Sequence, residues 1–216
     1  MDVSPRPRRR GLLALVLPAL LAFASLPGAA AQGALYGPEA PLDSAWLRVV
    51  NAGAEDGVAV RIADGSAQVL ALHQATRYAL VEPGAVHVDV GGEVLTVEVG
   101  PESFTTIAAT RGGVVVVPDP ALRDISRGLL GLVNLTDRPA LDLQVPDGPI
   151  VVGAVPPGVH DAIAVAEATT ELVVSEDGTV VARLEARTFE RGVAHAVVVV
   201  ATDDGLLAFV LTAAGE

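Results

Sequence analysis

Apolar and polar residues alternate along most of this chain with the two-residue period of strands, not the 3.6-residue period of helices. From Ala45 the alternation predicts strands at 46–50, 57–63, 69–72, 76–81, 86–90, 94–99, 104–110 and 114–117. It resumes at 129–134, 140–145, 150–155, 161–165, 171–175, 180–187, 195–202 and 206–212. Glu82-Pro83-Gly84, Gly91-Gly92, Glu176-Asp177-Gly178 and Asp203-Asp204-Gly205 supply turns between them. Gly91-Gly92 suits a two-residue hairpin whose central residues need positive φ. The halves also echo each other. An offset of 83 carries Leu47-Arg48-Val49-Val50-Asn51 onto Leu130-Gly131-Leu132-Val133-Asn134. The same offset carries Val58, Val60 and Ile62 onto Leu141, Leu143 and Val145, and the turn Asp64-Gly65 onto Asp147-Gly148. One small β-unit is built twice.

Pro118-Asp119-Pro120 stops any strand, because proline cannot donate to a ladder. Beyond it, 121–127 reads as a polar connector with room for one helical turn. Strands spaced roughly 8–12 residues apart, with no long amphipathic helix, predict an all-β protein. The expected architecture is two tandem antiparallel β-sandwich domains, jelly-roll or Ig-like, at 32–117 and 128–216 with a linker at 118–127.

Residues 1–31 read as a cleaved signal peptide. Arg6, Arg8, Arg9 and Arg10 form its basic region, the apolar stretch runs from Gly11 to Leu26, and Ala29-Ala30-Ala31 offers the cleavage site. That stretch contains Pro18 and falls short of the ~20 residues a membrane-spanning helix needs. Arg9-Arg10-Gly11-Leu12-Leu13 partly resembles a twin-arginine signal, so the export route stays open. The chain has no cysteine, hence no lipid attachment site and no disulfide framework. The mature protein is therefore expected in the periplasm, without stable membrane insertion.

Cleavage removes four of the 14 basic and one of the 26 acidic residues, leaving 10 basic, 25 acidic and a net charge of −15. Every basic residue is arginine. Such a surface repels nucleic acid, anionic lipid and polyuronate, since each needs a cationic patch to displace counterions.

Catalytic motifs are missing. Ser44, Ser66, Ser103, Ser126 and Ser175 lie in no nucleophile-elbow pattern. Ser66 follows Asp64-Gly65, and its repeat partner is Pro149, which suits a turn and not a nucleophile. His73, His87, His160 and His195 form no zinc spacing. His160 and Asp161 are strand neighbours that point to opposite faces. The acid pairs Glu55-Asp56, Glu176-Asp177 and Asp203-Asp204 sit at turn tips without the closing glutamate of a calcium loop. Asn134-Leu135-Thr136 matches a glycosylation acceptor, but its counterpart Asn51-Ala52-Gly53 does not, and a turn asparagine explains both. No catalytic residue, cofactor site or metal site is expected. One surface feature does stand out: Tyr36, Pro38, Trp46 and Arg48 lie near the first strand, and aromatics with arginine make good interface anchors. The other reading of Trp46 is that it fills the first core.

Ala34-Leu35-Tyr36-Gly37-Pro38-Glu39-Ala40-Pro41, with Ser44-Ala45-Trp46-Leu47-Arg48-Val49-Val50-Asn51-Ala52-Gly53 after it, resembles the mature N-terminus of the AlgF family, periplasmic proteins of bacterial alginate O-acetylation. The run from Leu130 to Leu143, with Asn134-Leu135-Thr136-Asp137 at its turn, is similar to that family's second domain opening. The resemblance implies tandem β-sandwiches and a non-catalytic accessory role. It also implies partners among SGNH-type acetyltransferase proteins, AlgJ- and AlgX-like, bridged to the polymer-modifying step with at most a weak polysaccharide contact. The expected function is thus an adaptor for O-acetylation of alginate or a related exopolysaccharide. The alternative is a carbohydrate-binding β-sandwich module acting directly on the polymer, for which the whole chain offers four Phe, two Tyr and one Trp.

Overall fold

A computed structural model describes residues 43–214 as strands and turns. The signal peptide expected at 1–31, and Tyr36 and Pro38 of the docking patch, lie outside the described residues. The first repeat supplies β1 (Ala45–Asn51), β2 (Val58–Ile62), β3 (Gln68–Leu70), β4 (Ala79–Val81), β5 (Gly84–Val90), β6 (Glu93–Val99), β7 (Phe104–Thr110) and β8 (Gly113–Asp119). The second supplies β9 (Gly128–Leu135), β10 (Leu141–Gln144), β11 (Ile150–Val155), β12 (His160–Val165), β13 (Ala168–Glu176), β14 (Thr179–Phe189), β15 (Val193–Thr202) and β16 (Gly205–Ala214). All sixteen expected strands are present.

Each repeat folds into two four-stranded sheets of identical plan. Orders β3-β2-β5-β6 and β4-β1-β7-β8 in the first become β11-β10-β13-β14 and β12-β9-β15-β16 in the second. Gly91 and Gly92 take φ of 64° and 90° in a two-residue hairpin, as expected. Two details differ from the strictly antiparallel plan. β1 pairs parallel with β7, and β9 with β15, at matching registers. Parallel neighbours need a long crossover, and here five strands of the same repeat provide it. Segment 121–127 also forms no helical turn. Asp124 instead accepts from the backbone N–H and hydroxyl of Ser126, an Asx-type turn.

The inner strands explain why the alternation is clean in some places and lost in others. β2 alternates buried and exposed along its whole length, as a sheet with one wet face should. β1, β7, β9 and β15 are buried on nearly every residue, because their sheets are covered on both faces. One face of β1 and β7 joins the first sandwich core, with Leu47, Val49 and Ile107. The other face meets the second repeat: Val50, Ala52, Ala108 and Val117 pack with Val133, Ala196, Val198, Val200 and Leu211. The result is four stacked sheets, and the described residues 43–214 form one compact unit.

Each repeat is knotted at one buried asparagine. Asn51 and Asn134 are both fully buried. Asn51 Nδ2 donates to the carbonyls of Ala54 (2.8 Å) and Leu70 (3.1 Å), and its Oδ1 accepts from Gly53 and Ala54 N–H. Asn134 Nδ2 donates to the carbonyls of Arg138 and Val155 (both 3.0 Å), and its Oδ1 accepts from the N–H and hydroxyl of Thr136. Both backbones also bond to the loop before the edge strand, through His73 and Gln74 or Gly158 and Val159. A turn asparagine does explain both positions. Replacing Asn51 or Asn134 by alanine leaves several buried partners unsatisfied. Each variant is expected to lose roughly 2–4 kcal/mol in urea unfolding, and a loss under 1 kcal/mol would contradict this role.

Candidate functional site

The polar cluster with the deepest burial sits where the two repeats meet. Asp119, at the end of β8, has a side chain only 2% exposed. Four side chains surround it. Tyr78 hydroxyl donates to Oδ2 at 2.8 Å, and Thr106 hydroxyl donates to the same oxygen. His160 Nδ1 lies 2.7 Å from Oδ1, and Arg48 Nη2 lies 4.0 Å from Oδ1. Arg48 Nε–H donates to Thr106 Oγ1 at 2.8 Å, and its guanidinium stacks over the Tyr78 ring at 4.6 Å. Arg48, Thr106 and Asp119 come from β1, β7 and β8 of the first repeat, and His160 begins β12 of the second.

The electrostatics follow from this arrangement. Burial raises the Asp119 pKa, but the His160 hydrogen bond and Arg48 outweigh it and hold the carboxyl below the ordinary aspartate range. Burial pushes the Tyr78 hydroxyl above its usual range; Arg48 opposes the rise and Asp119 adds to it, so Tyr78 remains a donor. An ionised Asp119 can only accept, so His160 carries its proton on Nδ1. His160 Nε2 is buried without a partner among the described residues and points at Gly131, where an added Cβ would lie 2.3 Å away. An imidazole on a carboxylate is half of a nucleophile triad, but the far nitrogen here meets backbone and not a hydroxyl.

The sequence-predicted positions fare unevenly. Arg48 is 5% exposed and committed to this cluster, so the described residues do not present it on an open docking patch. Trp46 is half-buried and stacks on Phe104 (centroids 4.7 Å apart, planes 6° apart), which Tyr78 meets edge-on. Its repeat counterpart is Leu129, so the aromatic ladder belongs to one repeat alone. His160 and Asp161 do diverge: His160 is buried and Asp161 is exposed. Asp119, His160, Thr106 and Tyr78 were not singled out together by the sequence. One signal was available, since a charged Arg48 inside the run Leu47–Val50 demands a buried partner.

Most other candidates are accounted for locally, though Ser175 Oγ and His195 Nδ1 are buried without a hydrogen-bond partner among the described residues. His87 bonds Thr96 on an exposed face. His195 is buried, its pKa lowered by burial and by Arg187, and its Nε2 accepts from Glu190 N–H. Ser103 and Ser126 hydroxyls bond within their own turns. Among the described residues no three His, Asp or Glu side chains converge as metal ligands.

Fold and cluster together define a duplicated β-sandwich protein whose halves are fused face to face around a buried ionic clamp. A model of the AlgF family, described as alginate O-acetyl transferase AlgF, matches residues 18–196. The alginate biosynthesis protein AlgF of Pseudomonas aeruginosa is 29% identical over 192 residues, covering 88% of each chain. That of Pseudomonas fluorescens is 26% identical over 149 residues, covering 68% of this chain and 67% of its own. A solved N-terminal domain of AlgF from P. aeruginosa is similar at 28% identity and a TM-score of 0.33, over 38% of this chain and all of its own. The chain belongs to the AlgF family.

The cluster makes stability pH-dependent. A depressed aspartate contributes stability in full above its unfolded value, and the contribution is lost as pH falls from there through the folded value. The parent chain's resistance to chemical unfolding should therefore weaken as pH drops below about 4. Asp119→Asn should be less stable at pH 7 and show a shallower acid decline. An identical decline in both proteins would show that Asp119 carries none of it.

Proposed function

We propose that this chain is a non-catalytic periplasmic adaptor for O-acetylation of alginate or a related exopolysaccharide, bridging SGNH-type acetyltransferase components of the AlgJ and AlgX kind. The observation that carries the reading, beside the family membership, is that the buried His160–Asp119 pair is consumed in joining two domains. Its free nitrogen faces Gly131 and has no hydroxyl to activate. The strong negative charge also favours protein partners over direct grip on a polyuronate. Sheet edges and outer sheet faces on two fused domains suit simultaneous contact with two proteins.

The purified chain is expected to leave an acetyl-ester substrate untouched and to co-purify with an SGNH-type acetyltransferase when the two are co-expressed. Steady ester turnover abolished by changing one serine would overturn the reading. Calorimetric titration with alginate oligomers separates it from the carbohydrate-binding alternative, which requires saturable binding of the oligomer alone.

A further inference from the structure

The contact between the two sandwiches has the form of a symmetric dimer interface within one chain. Equivalent residues line it from both sides: Val50 and Val133, Ala108 and Val198, and Val117 and Leu211 occupy matching positions of the two repeats and share one apolar layer. Between the loop before β4 and β16, the His73 and Phe209 rings pack tilted, with centroids 4.5 Å apart. Where β8 approaches β12, the counterpart Gly158 lies 4.0 Å, measured from an ideal Cβ, from Val115. Such self-complementary pairing is how two-fold interfaces are built.

The symmetry fails at one place. Arg48, Thr106 and Asp119 of the first repeat correspond by register to Gly131, Ala196 and Ala213 of the second. One edge therefore carries a buried ionic contact, and the matching edge carries small side chains. Arg48, Thr106 and Tyr78 hold Asp119 to its own domain, while His160 reaches it from the other. Gly131 leaves the space the imidazole occupies. Facing Asp119, the charged and titratable groups are Arg48 on β1, Tyr78 before β4 and His160 on β12, with none from β9 among the described residues.

We infer that the two sandwiches form a rigid bracket, latched at the β8–β12 edge by the cross-domain bond between Asp119 and His160, whose loss lets that edge open while each sandwich stays folded. This inference stands apart from the acetylation reading, since it concerns the chain alone.

The absence of native cysteine allows a direct test in the full chain. Val198→Cys places a thiol in the inter-sandwich layer, and Val88→Cys places one in the first sandwich core. At neutral pH both thiols should react slowly with a disulfide reagent. Adding His160→Ala should speed labelling of the Val198→Cys thiol roughly tenfold or more, the weight of a charge-assisted hydrogen bond, and leave the Val88→Cys thiol unchanged. Asp119→Asn, a milder change, should move the same thiol in the same direction. Fast labelling of the interface thiol in the otherwise unaltered chain would overturn the rigid bracket. Equal acceleration of both thiols, or of neither, would overturn the latch.

Discussion

The inner strands of the two middle sheets, above all β1, β7 and β9, have almost no wet face, and the rest of the molecule follows from that. A sheet covered on both sides must be apolar on both sides, and β1, β7, β9 and β15 meet that demand with runs such as Val197–Val200. Any polar side chain placed there must find its partners inside the protein, because an unpaired buried group costs about as much as the packing of a whole side chain contributes. Asn51, Asn134 and Asp119 meet this condition and are partnered from several directions, whereas His160 Nε2 and His195 Nδ1 are buried without a partner among the described residues.

Duplication and divergence can be separated by asking which contacts occur twice. The asparagine knot occurs twice with the same two kinds of donor bond, so it belongs to the ancestral unit's way of tying its third strand to its first. The ionic clamp occurs once. Its counterparts in the second repeat are glycine and alanine, and the glycine, Gly131, leaves the space that the His160 imidazole occupies. Energetically the apolar layer dominates: nine buried residues share it, and a buried Val or Leu contributes roughly 1.5–3 kcal/mol, against about 1.5–3 for a hydrogen bond to a charge. The clamp therefore selects how the edges align more than whether the domains associate.

What the sequence disclosed follows the range of the forces involved. Strands and hairpins were legible because alternation and Gly91-Gly92 are local signals. The asparagine was legible because the repeat presented it twice, with the turn dipeptide in step. Parallel pairing of β1 with β7 was not, since the partners are 58 residues apart, as in Arg48 with Thr106, and nothing local encodes the crossover. The clamp was hidden for the same reason, with 41 residues between Asp119 and each of Tyr78 and His160. Pro118-Asp119-Pro120 reads as stopping the strand at 117, but β8 is an edge strand that tolerates Pro118, and it runs through Asp119 before ending at Pro120. Its aspartate was read as punctuation because the prolines account for the break without it.

Under the adaptor role proposed above, two stacked sandwiches differ from two modules on a string. Flexible tethering raises the local concentration of a second partner but fixes no geometry. Stacked sheets lie about 10 Å apart, so four in series hold the outer faces about 30 Å apart and facing in opposite directions. Partners seated on those faces would be presented at a set distance and angle, with the linker at 120–127 contributing little to either. The clamp buries Arg48 together with Asp119, one charge of each sign, so it leaves the net negative charge of the exposed surface unchanged.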